Sequence, residues 1–552
     1  MIKRILYILI VPLLLMQLVS CGTYNSVHNR PNIAEYNHAV PVLVKKDGVT
    51  TYGNNFLLQN KYGLWEMYVE GDPLQQGLIT GALSQELIAH QEEYFLNKIK
   101  EIIPSKFKQQ LLRQFLKWYN RKVYLNVSEE YKTEIYGMSQ YLSDDYNYVA
   151  PPYLRSLYLH AAHDIGHALN DLALVGCTSF AAWDENTSDG SLLIARNLDF
   201  YAGDEFAKNK IVSFVKPEKG HPFMSVTWGG MIGALSGMNA EGLTVTLNSG
   251  KSDIPLIAKT PISLLAREIL QYASTIDEAV AIAKQREVFV SESIMVGSAK
   301  DHKAVLIEVS PKKLGVYEVP NSSELICSNH FQSDTYKDDD NNNYAIVNSH
   351  SQYRYERMQQ LLLQNGKIDP VKAAAIMRNT GGLNNLSLGY GNEKAINQLL
   401  AHHSVIFKPE QKQVWVSANP YQLGAYVAYD LDDVFKGGHV TASVAVDSLL
   451  IPEDPFVHSQ AFKDYEKYRV QDRLMDKAIS NHEVLGPGFI EDYQRLNPDL
   501  WFVYYKAGVY YYNRGCYAAA KVEFEKALTK EITTLPDKEQ TETYLKKTNK
   551  KL

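Results

Sequence analysis

The chain has 552 residues, a formal net charge of -6, and a composition that is 45% hydrophobic and 21% charged. These values are typical of a globular protein with a sizeable core and exclude a collagen-like or disordered chain. No basic stripe stands out in the sequence, so it predicts no nucleic-acid partner.

The N-terminal residues carry the pattern of an export signal. Lys3 and Arg4 precede an apolar run over 5–18, which is short for a membrane span. The following Leu-Val-Ser-Cys resembles the lipobox of bacterial lipoproteins, with Cys21 at the acylated position after a signal peptide over 1–20. We therefore expect an exported lipoprotein of the cell envelope, at the outer membrane or periplasmic face, anchored by lipid on Cys21. An ordinary signal peptide is the alternative.

Three further cysteines follow: Cys177, Cys327 and Cys516. An exported protein that is stabilised by disulfides carries more cysteines, usually in even numbers. An odd count leaves at least one thiol free, and this directs attention to cysteine chemistry.

The rest of the chain divides by its periodicity. Residues 21–59 are polar and irregular and are predicted to form a tether and an entry strand. Apolar residues at helical spacing predict a helical segment over 60–176. From 177 to 450, short β-rich runs with glycine turns alternate with helix pairs, which predicts a layered α/β domain.

Residues 451–552 are predicted to form a helical C-terminal region. Small and aromatic residues over 501–528 resemble one tetratricopeptide repeat (TPR), and an ordinary helical hairpin is the alternative. A single repeat cannot bury its own face, so we expect it to pack on neighbouring helices or on the preceding domain. A protein partner is a further expectation for this region.

A set of motifs begins at Gly176, where the chain reads Gly-Cys-Thr-Ser and then Ala-Arg-Asn-Leu-Asp-Phe over 195–200. The other motifs are Gly-Leu-Ile-Thr-Gly-Ala-Leu at 77–83, Ser-Gly-Met-Asn-Ala-Glu-Gly-Leu at 236–243, Cys-Ser-Asn-His-Phe at 327–331 and Ser-Gln-Tyr-Arg-Tyr-Glu-Arg at 351–357. Together they resemble the linear amide hydrolases of the N-terminal-nucleophile superfamily. That group includes choloylglycine hydrolases, acid ceramidase, N-acylethanolamine acid amidase and the penicillin-forming acyltransferases of peptidase family C45.

The resemblance implies an α+β protein with a four-layer αββα N-terminal-nucleophile fold and the TPR-like region as an appendage. It also implies that the chain cuts itself between Gly176 and Cys177, since the nucleophile of such enzymes stands at a chain N-terminus. The segment before the cut is then expected to stay bound as a partner chain. No metal or organic cofactor is expected.

The roles expected of the nearest residues follow from the chemistry of a cysteine with a free α-amino group. That amino group has a pKa of about 7.7–8 and accepts the thiol proton, so that the thiolate of Cys177 attacks an amide carbonyl. Arg196 is expected to lower the thiol pKa, and Asp199 to orient the α-amino group.

More distant residues are expected to complete the site. Asn239 and Asn329 are predicted to donate hydrogen bonds to the developing oxyanion. Arg354 is predicted to orient Asp199, and Arg357 is the alternative on the same helix.

The predicted reaction is hydrolysis of a small-molecule linear N-acyl amide through a Cys177 thioester. Acyl transfer to an amine through the same thioester is one alternative, and an inactive, lipid-anchored binding scaffold is another. The sequence does not distinguish among bile salts, N-acyl amino acids, N-acylethanolamines, ceramides, β-lactams and acyl-homoserine lactones as substrates.

Two clusters raise the question of metal. His160, His163 and His167 share a helix face with Asp164 and Asp171 nearby, but packing at the site edge is favoured over metal binding. The acidic run over 338–343 is expected to be an exposed turn, and weak calcium binding there is the less favoured alternative.

Overall fold

Two β-sheets form the centre of the protein. The computed structural model describes residues 23–161, 164, 175–200, 203–252, 257–438 and 440–552. The strands, in chain order, are β1 (Val44–Lys46), β2 (Val49–Tyr52), β3 (Asn55–Gln59), β4 (Trp65–Gly71), β5 (Val175–Ala182), β6 (Leu193–Phe200), β7 (Ile211–Pro217), β8 (Phe223–Thr227), β9 (Ser236–Asn239), β10 (Leu243–Ser249), β11 (Glu292–Ser298), β12 (Lys303–Val309), β13 (Leu314–Tyr317), β14 (Glu324–Cys327), β15 (His403–Lys408), β16 (Gln413–Ser417) and β17 (Tyr426–Asp430).

The larger sheet has eleven strands in the order β1-β2-β3-β4-β7-β8-β9-β10-β11-β12-β13, and the smaller has six in the order β14-β5-β6-β15-β16-β17. Neighbouring strands pair antiparallel apart from β4 and β7, which are parallel. Ile194 on β6, Val226 on β8 and Val405 on β15 belong to one buried cluster, which fills the space between the sheets. Side chains alternate between the two faces of a strand, so the next residues point outward.

Helices cover the outer faces of both sheets. The helices described here are α1 (Pro73–Ile102), α2 (Lys106–Tyr119), α3 (Glu129–Ser139), α4 (Pro152–His160), α5 (Ile262–Tyr272), α6 (Ile276–Lys284), α7 (Asp340–Asn348), α8 (Ser351–Asn365), α9 (Pro370–Met377), α10 (Leu431–Phe435), α11 (Gln460–Asn481), α12 (Phe489–Leu496), α13 (Trp501–Asn513), α14 (Tyr517–Ala527) and α15 (Leu535–Asn549). Leu265 on α5 shares a cluster with Val245 of the larger sheet, and Met358 on α8 shares one with Phe180 of the smaller sheet. The four-layer αββα fold is therefore confirmed.

The N-terminal segment contains more strands than the sequence predicts. A tether and one entry strand are expected over 21–59, and three strands, β1, β2 and β3, lie between residues 44 and 59 and extend the larger sheet beyond β4. All three residues of β1 are exposed, so no alternation of apolar and polar residues marks it as a strand.

Helices α1 and α3 approach closely because glycines stand at their contact. A Cβ atom on Gly77 would lie 2.0 Å from the carbonyl oxygen of Glu134, and one on Gly137 would lie 2.8 Å from that of Leu74. A larger residue at either position would push the helices apart. The Gly-x-x-x-Gly pattern at 77–81 thus serves helix packing in the N-terminal segment.

The C-terminal region is helical, as predicted. Helices α13 and α14 occupy the range that resembles a TPR, and Trp501 and Tyr465 share a buried cluster with Leu399 and Leu423 of the preceding domain. Its packing on that domain agrees with the expectation, and the protein partner stays a prediction.

The run over 338–343, expected to be an exposed turn, instead contains the start of α7. Asp339 caps this helix by accepting a hydrogen bond from the Asn342 backbone N–H at 3.1 Å.

Over the residues that the structure describes, no helix is long and apolar enough to cross a membrane.

Candidate active site

Cys177 lies near the start of β5, a strand inside the smaller sheet. β14 pairs with β5 on one side and β6 on the other, and Cys177 itself is paired with Leu198. The residue is only 1% exposed. In the uncut chain the thiol is thus held in the protein interior, on the face of the sheet that points toward the larger sheet.

Arg196 on β6 contacts the thiol directly, as the sequence predicts. Its Nη2 lies 3.4 Å from the Cys177 Sγ and also donates to the Leu247 carbonyl. Burial raises the pKa of the Cys177 thiol, and the nearby guanidinium opposes this rise. No carboxylate of the described residues lies within ion-pair distance of Arg196, so its charge is available to a thiolate.

A chain of hydrogen bonds through one serine and two histidines orients the Arg196 side chain. Its Nη1 donates to Ser236 Oγ at 2.8 Å, and this hydroxyl lies 2.9 Å from His403 Nε2. His403 Nδ1 in turn lies 2.8 Å from His402 Nδ1. Burial lowers the pKa of both histidines, so they stay neutral beside the guanidinium. These hydrogen bonds fix the direction in which Arg196 points.

Asn329 reaches the nucleophile through the oxygen of its side chain. Oδ1 accepts a hydrogen bond from the Cys177 backbone N–H at 3.1 Å, while Nδ2 donates to the backbone and hydroxyl oxygens of Ser249 at 3.0 and 2.9 Å. The prediction placed Asn329 at the site as an oxyanion donor. In the uncut chain it positions the Cys177 nitrogen instead, and both amide hydrogens are used elsewhere.

Arg354 on α8 hydrogen-bonds to the backbone carbonyl of the nucleophile. Its Nη1 donates to the Cys177 carbonyl at 2.6 Å and to Thr178 Oγ1, and its Nη2 donates to Asn329 Oδ1. Arg357, the alternative, points away and donates to Asn379 and Asn385. The structure thus brings Arg354, and not Arg357, to the site.

Asp199 lies opposite Gly176 in the β5–β6 pair. Its carboxylate is fully buried, and neither oxygen has a hydrogen-bond partner within the described part of the chain. Burial raises the pKa of this group to about 7, against the opposing effect of Arg354 and Arg196. An unpaired acceptor therefore stands beside the predicted new N-terminus.

Asn239 is not brought to this cluster. Its Nδ2 donates to the Leu270 and Ala273 carbonyls at 2.8 and 2.7 Å, and its Oδ1 accepts from the Glu241 and Leu243 backbone N–H groups. Every hydrogen-bonding position of the amide is used to hold the β9–β10 turn against the end of α5. The prediction of an oxyanion donor at Asn239 is corrected to a structural role.

Two amides that the sequence prediction missed lie at the site. Asn248, at the other end of the same hairpin, accepts from Ser179 Oγ at 3.3 Å and donates to the Cys327 carbonyl at 3.1 Å. The Gln398 amide packs against Gly176, where a Cβ atom would lie 2.8 Å from Nε2. The apolar–polar alternation of β10 would have pointed to Asn248, whereas nothing in the local sequence marks Gln398.

The histidine cluster lies largely outside the described residues, which include His160 and Asp164 but not His163, His167 or Asp171. Both ring nitrogens of His160 are engaged, by the Ser156 carbonyl at 2.8 Å and the Ile232 backbone N–H at 3.0 Å. Burial lowers its pKa to about 4. Among the described residues no group of three or more candidate ligands is placed to hold a metal ion.

An aromatic cavity of about 60 Å³ lies at the end of β6 that carries Phe200. It is lined by Ile88, Gln91, Glu92, Phe95, Leu142, Ser156, Leu159, Phe200, Phe206, Trp228, Gly229, Gly230 and Met231. Phe200 lies two residues beyond Leu198, the partner of Cys177, so this wall begins roughly 7 Å along the strand from the nucleophile. The rings of Phe200, Phe206 and Trp228 contact one another with centroids 5.0–6.2 Å apart.

Comparison with known families supports the resemblance. Residues 185–420 match the model of the acyl-coenzyme A:6-aminopenicillanic acid acyl-transferase family. The matched range begins after Cys177 and contains Arg196, Asp199, Asn329 and Arg354. The resemblance to this family is confirmed over that range.

Two curated relatives were found. An uncharacterized protein of Archaeoglobus fulgidus is 26% identical over 353 residues, which cover 57% of this chain and 58% of the relative. Protein dcd1B of Dictyostelium discoideum is 25% identical over 272 residues, which cover 46% of this chain and 51% of the relative. The chain thus spans little more than half the length of either relative.

Solved structures with some similarity include an ortholog of N-acylethanolamine-hydrolyzing acid amidase from Caenorhabditis elegans. It is 20% identical, with a TM-score of 0.32, over 42% of this chain and 93% of that chain. A mutant conjugated bile acid hydrolase from Clostridium perfringens is 17% identical, with a TM-score of 0.32, over 47% and 93%. The αββα layers, rather than these likenesses, establish the fold.

Proposed function

We propose, from the family match over 185–420, that this chain is a cysteine amide hydrolase activated by cutting itself between Gly176 and Cys177. The observation that carries the proposal is the environment of Cys177. Arg196 contacts the thiol, while Asn329 and Arg354 hold the nitrogen and the carbonyl of the same residue. A residue that served only as core packing would not require such an arrangement.

The self-cutting step uses groups already in place. The Cys177 thiol attacks the carbonyl carbon of Gly176, the C–N bond breaks, and a thioester forms between the two residues. The thiol proton passes to the departing nitrogen, which becomes the new α-amino group, and water then hydrolyses the thioester. The close approach of Gln398 to Gly176 favours glycine before the cut, because a Cβ atom would meet its amide.

In the cut enzyme the α-amino group takes the thiol proton and the thiolate attacks the carbonyl carbon of an N-acyl amide. The amine leaves with that proton, and water resolves the resulting thioester to release the acid and restore the thiol. Arg196 stabilises the thiolate, and the unpaired carboxylate of Asp199 is placed to accept a hydrogen bond from the new amino group.

The aromatic cavity supports a substrate with an apolar acyl group. A ligand carbonyl placed at the Cys177 thiol would direct its acyl chain along β6 toward Phe200 and Trp228. Apolar walls contribute binding energy in proportion to the apolar area that they remove from water. Substrates with long or aromatic acyl groups are therefore favoured over acetyl amides.

Filling the aromatic cavity is expected to change the acyl preference. Leu159→Trp adds a large side chain to its wall and should raise KM for a long-chain N-acyl amide at least about tenfold while leaving an acetyl amide nearly unaffected. Leu363→Trp, at a position that is 85% exposed, is the matched control. Equal losses for both acyl lengths would place the acyl site elsewhere.

The defining experiment is intact mass spectrometry of the full chain. The parent is expected as two chains with a junction between Gly176 and Cys177, and Cys177→Ala as one uncut chain without amidase activity. Cys327→Ala is the matched control, since this second buried thiol lies on the adjacent strand β14 and should leave cutting intact. An uncut parent would overturn the proposal and favour the binding scaffold.

Acyl transfer is the second candidate, and the matched family is named for an acyl-transferase. The two reactions share the thioester and differ in whether water or an amine resolves it. Adding hydroxylamine or a primary amine during turnover and measuring the ratio of new amide to free acid distinguishes them. Amide as the main product at millimolar amine would assign transfer.

The lipid anchor on Cys21 is part of the proposal, although this residue lies outside the described range. The Leu-Val-Ser-Cys pattern after an apolar run supports an exported lipoprotein of the cell envelope. Metabolic labelling with a fatty-acid analogue should mark the parent and leave Cys21→Ala unlabelled.

A further inference from the structure

Helix α2 exposes an apolar stripe that the rest of the described chain does not cover. Phe107, Leu111 and Phe115 recur every fourth residue and are 72%, 54% and 37% exposed. Beyond the helix, Leu125 is 64% exposed. Residues four apart lie on one helix face, so the stripe is continuous along α2.

The same segment is strongly cationic in an otherwise acidic protein. Residues 102–128 contain Lys106, Lys108, Arg113, Lys117, Arg121 and Lys122 and no aspartate or glutamate. In the described structure none of the six forms an ion pair with a carboxylate. Arg113 instead donates to the Tyr148 carbonyl at 3.2 Å, shortly after the 3-10 turn that carries Asp144 and Asp145. The positive charge of the segment is thus largely uncompensated.

Helix α1 connects this surface to the aromatic cavity along the chain. Helix α1 supplies Ile88, Glu92 and Phe95 to the cavity wall and ends at Ile102, three residues before the cap of α2 at Ser105. One helix thus connects the cavity wall to the start of α2.

We propose that α2 is a docking surface for an anionic lipid bilayer. An apolar stripe flanked by lysine and arginine matches the chemistry of such a surface: aromatic and leucine side chains enter the boundary of the acyl region while the cations contact phosphate groups. The assignment does not depend on the lipid anchor or on the amidase activity.

Vesicle sedimentation tests the proposal with the full chain carrying Cys21→Ala, so that no acyl anchor contributes. We expect binding to phosphatidylcholine vesicles that contain 30% phosphatidylglycerol, little binding to phosphatidylcholine alone, and loss of binding at high salt. Lys106→Glu with Lys108→Glu should weaken the apparent affinity at least about tenfold. Phe107→Ser with Leu111→Ser should do the same at low salt.

Matched controls make the same changes on other exposed surfaces. Lys546→Glu with Lys547→Glu alters charge equally at the end of α15, and Leu363→Ser with Val484→Ser removes residues that are 85% and 73% exposed. Each control should bind within about twofold of the parent, and equal loss in the controls would overturn the proposal. A solution dimer that the α2 substitutions dissolve would assign this surface to a second copy and also overturn it.

Discussion

An Asp199→Asn substitution is expected to raise the melting temperature of the uncut chain and to lower the amidase activity of the cut enzyme. In the uncut chain the buried carboxylate has no hydrogen-bond partner among the described residues, and its pKa is raised to about 7. The folded chain therefore holds a proton that the unfolded chain has released, and stability falls as pH rises from about 4 to 7. Asparagine removes the charge and with it this destabilisation.

The uncut state is preserved for this measurement by Cys177→Ala. We expect Cys177→Ala with Asp199→Asn to melt about 2–5 °C above Cys177→Ala alone at pH 8, with the difference vanishing near pH 4. A lower melting temperature at pH 8 would mean that the carboxylate is paired in solution.

The same substitution has the opposite effect on function. With Cys177 intact, Asp199→Asn should lower kcat/KM per cut chain by at least about 100-fold, because a neutral amide oxygen replaces the charged carboxylate that would accept from the new amino group. The fraction of cut chain, determined by intact mass, separates a defect in cutting from one in turnover. Activity within a few-fold of the parent would remove Asp199 from the mechanism.

The second large effect is expected from the two buried arginines of α8. Arg354→Met removes the hydrogen bonds to the Cys177 carbonyl, to Thr178 and to Asn329, and should reduce cutting and amidase turnover by about 100- to 1000-fold. Arg357→Met removes a guanidinium that is equally buried but contacts only residues away from the nucleophile.

Comparing the two variants distinguishes an effect on catalysis from an effect on folding stability. Both variants lose a buried, hydrogen-bonded cation, so similar falls in melting temperature are expected. Only Arg354→Met should strongly slow the appearance of the two chains in intact mass spectra and lower turnover to this extent. Comparable activity losses in both variants would show that α8 acts through packing alone.

The fold was predictable because its motifs follow one another in an order that resembles known families and because short β-rich runs alternate with helix pairs along the chain. Cys177, Arg196, Asp199, Asn329 and Arg354 were all identified from the sequence, and the structure brings them together. These residues lie on paired central strands or directly against them. On paired strands, the pairing register determines which residues lie next to each other.

Each error has its own physical reason. Asn239 and Asn248 stand at opposite ends of one hairpin, and the structure shows that Asn248, rather than Asn239, hydrogen-bonds to Ser179 beside the nucleophile. The start of α7 was missed because aspartate and asparagine disfavour helix interiors, although Asp339 is a good N-cap. Gln398 is more than 200 residues from Gly176 in sequence, so only tertiary contact reveals it.

The parallel pairing of β4 with β7 affects how the protein can refold after denaturation. Residues 65–71 pair with residues 211–217, so strands from before and after the Gly176–Cys177 bond form one sheet. Before the cut, folding is unimolecular. If the proposed cut occurs, the two pieces would have to associate again after denaturation, so that recovery would depend on concentration. Once unfolded at low concentration, such a cut protein would have no intramolecular route to refolding, and its unfolding rate would set its lifetime.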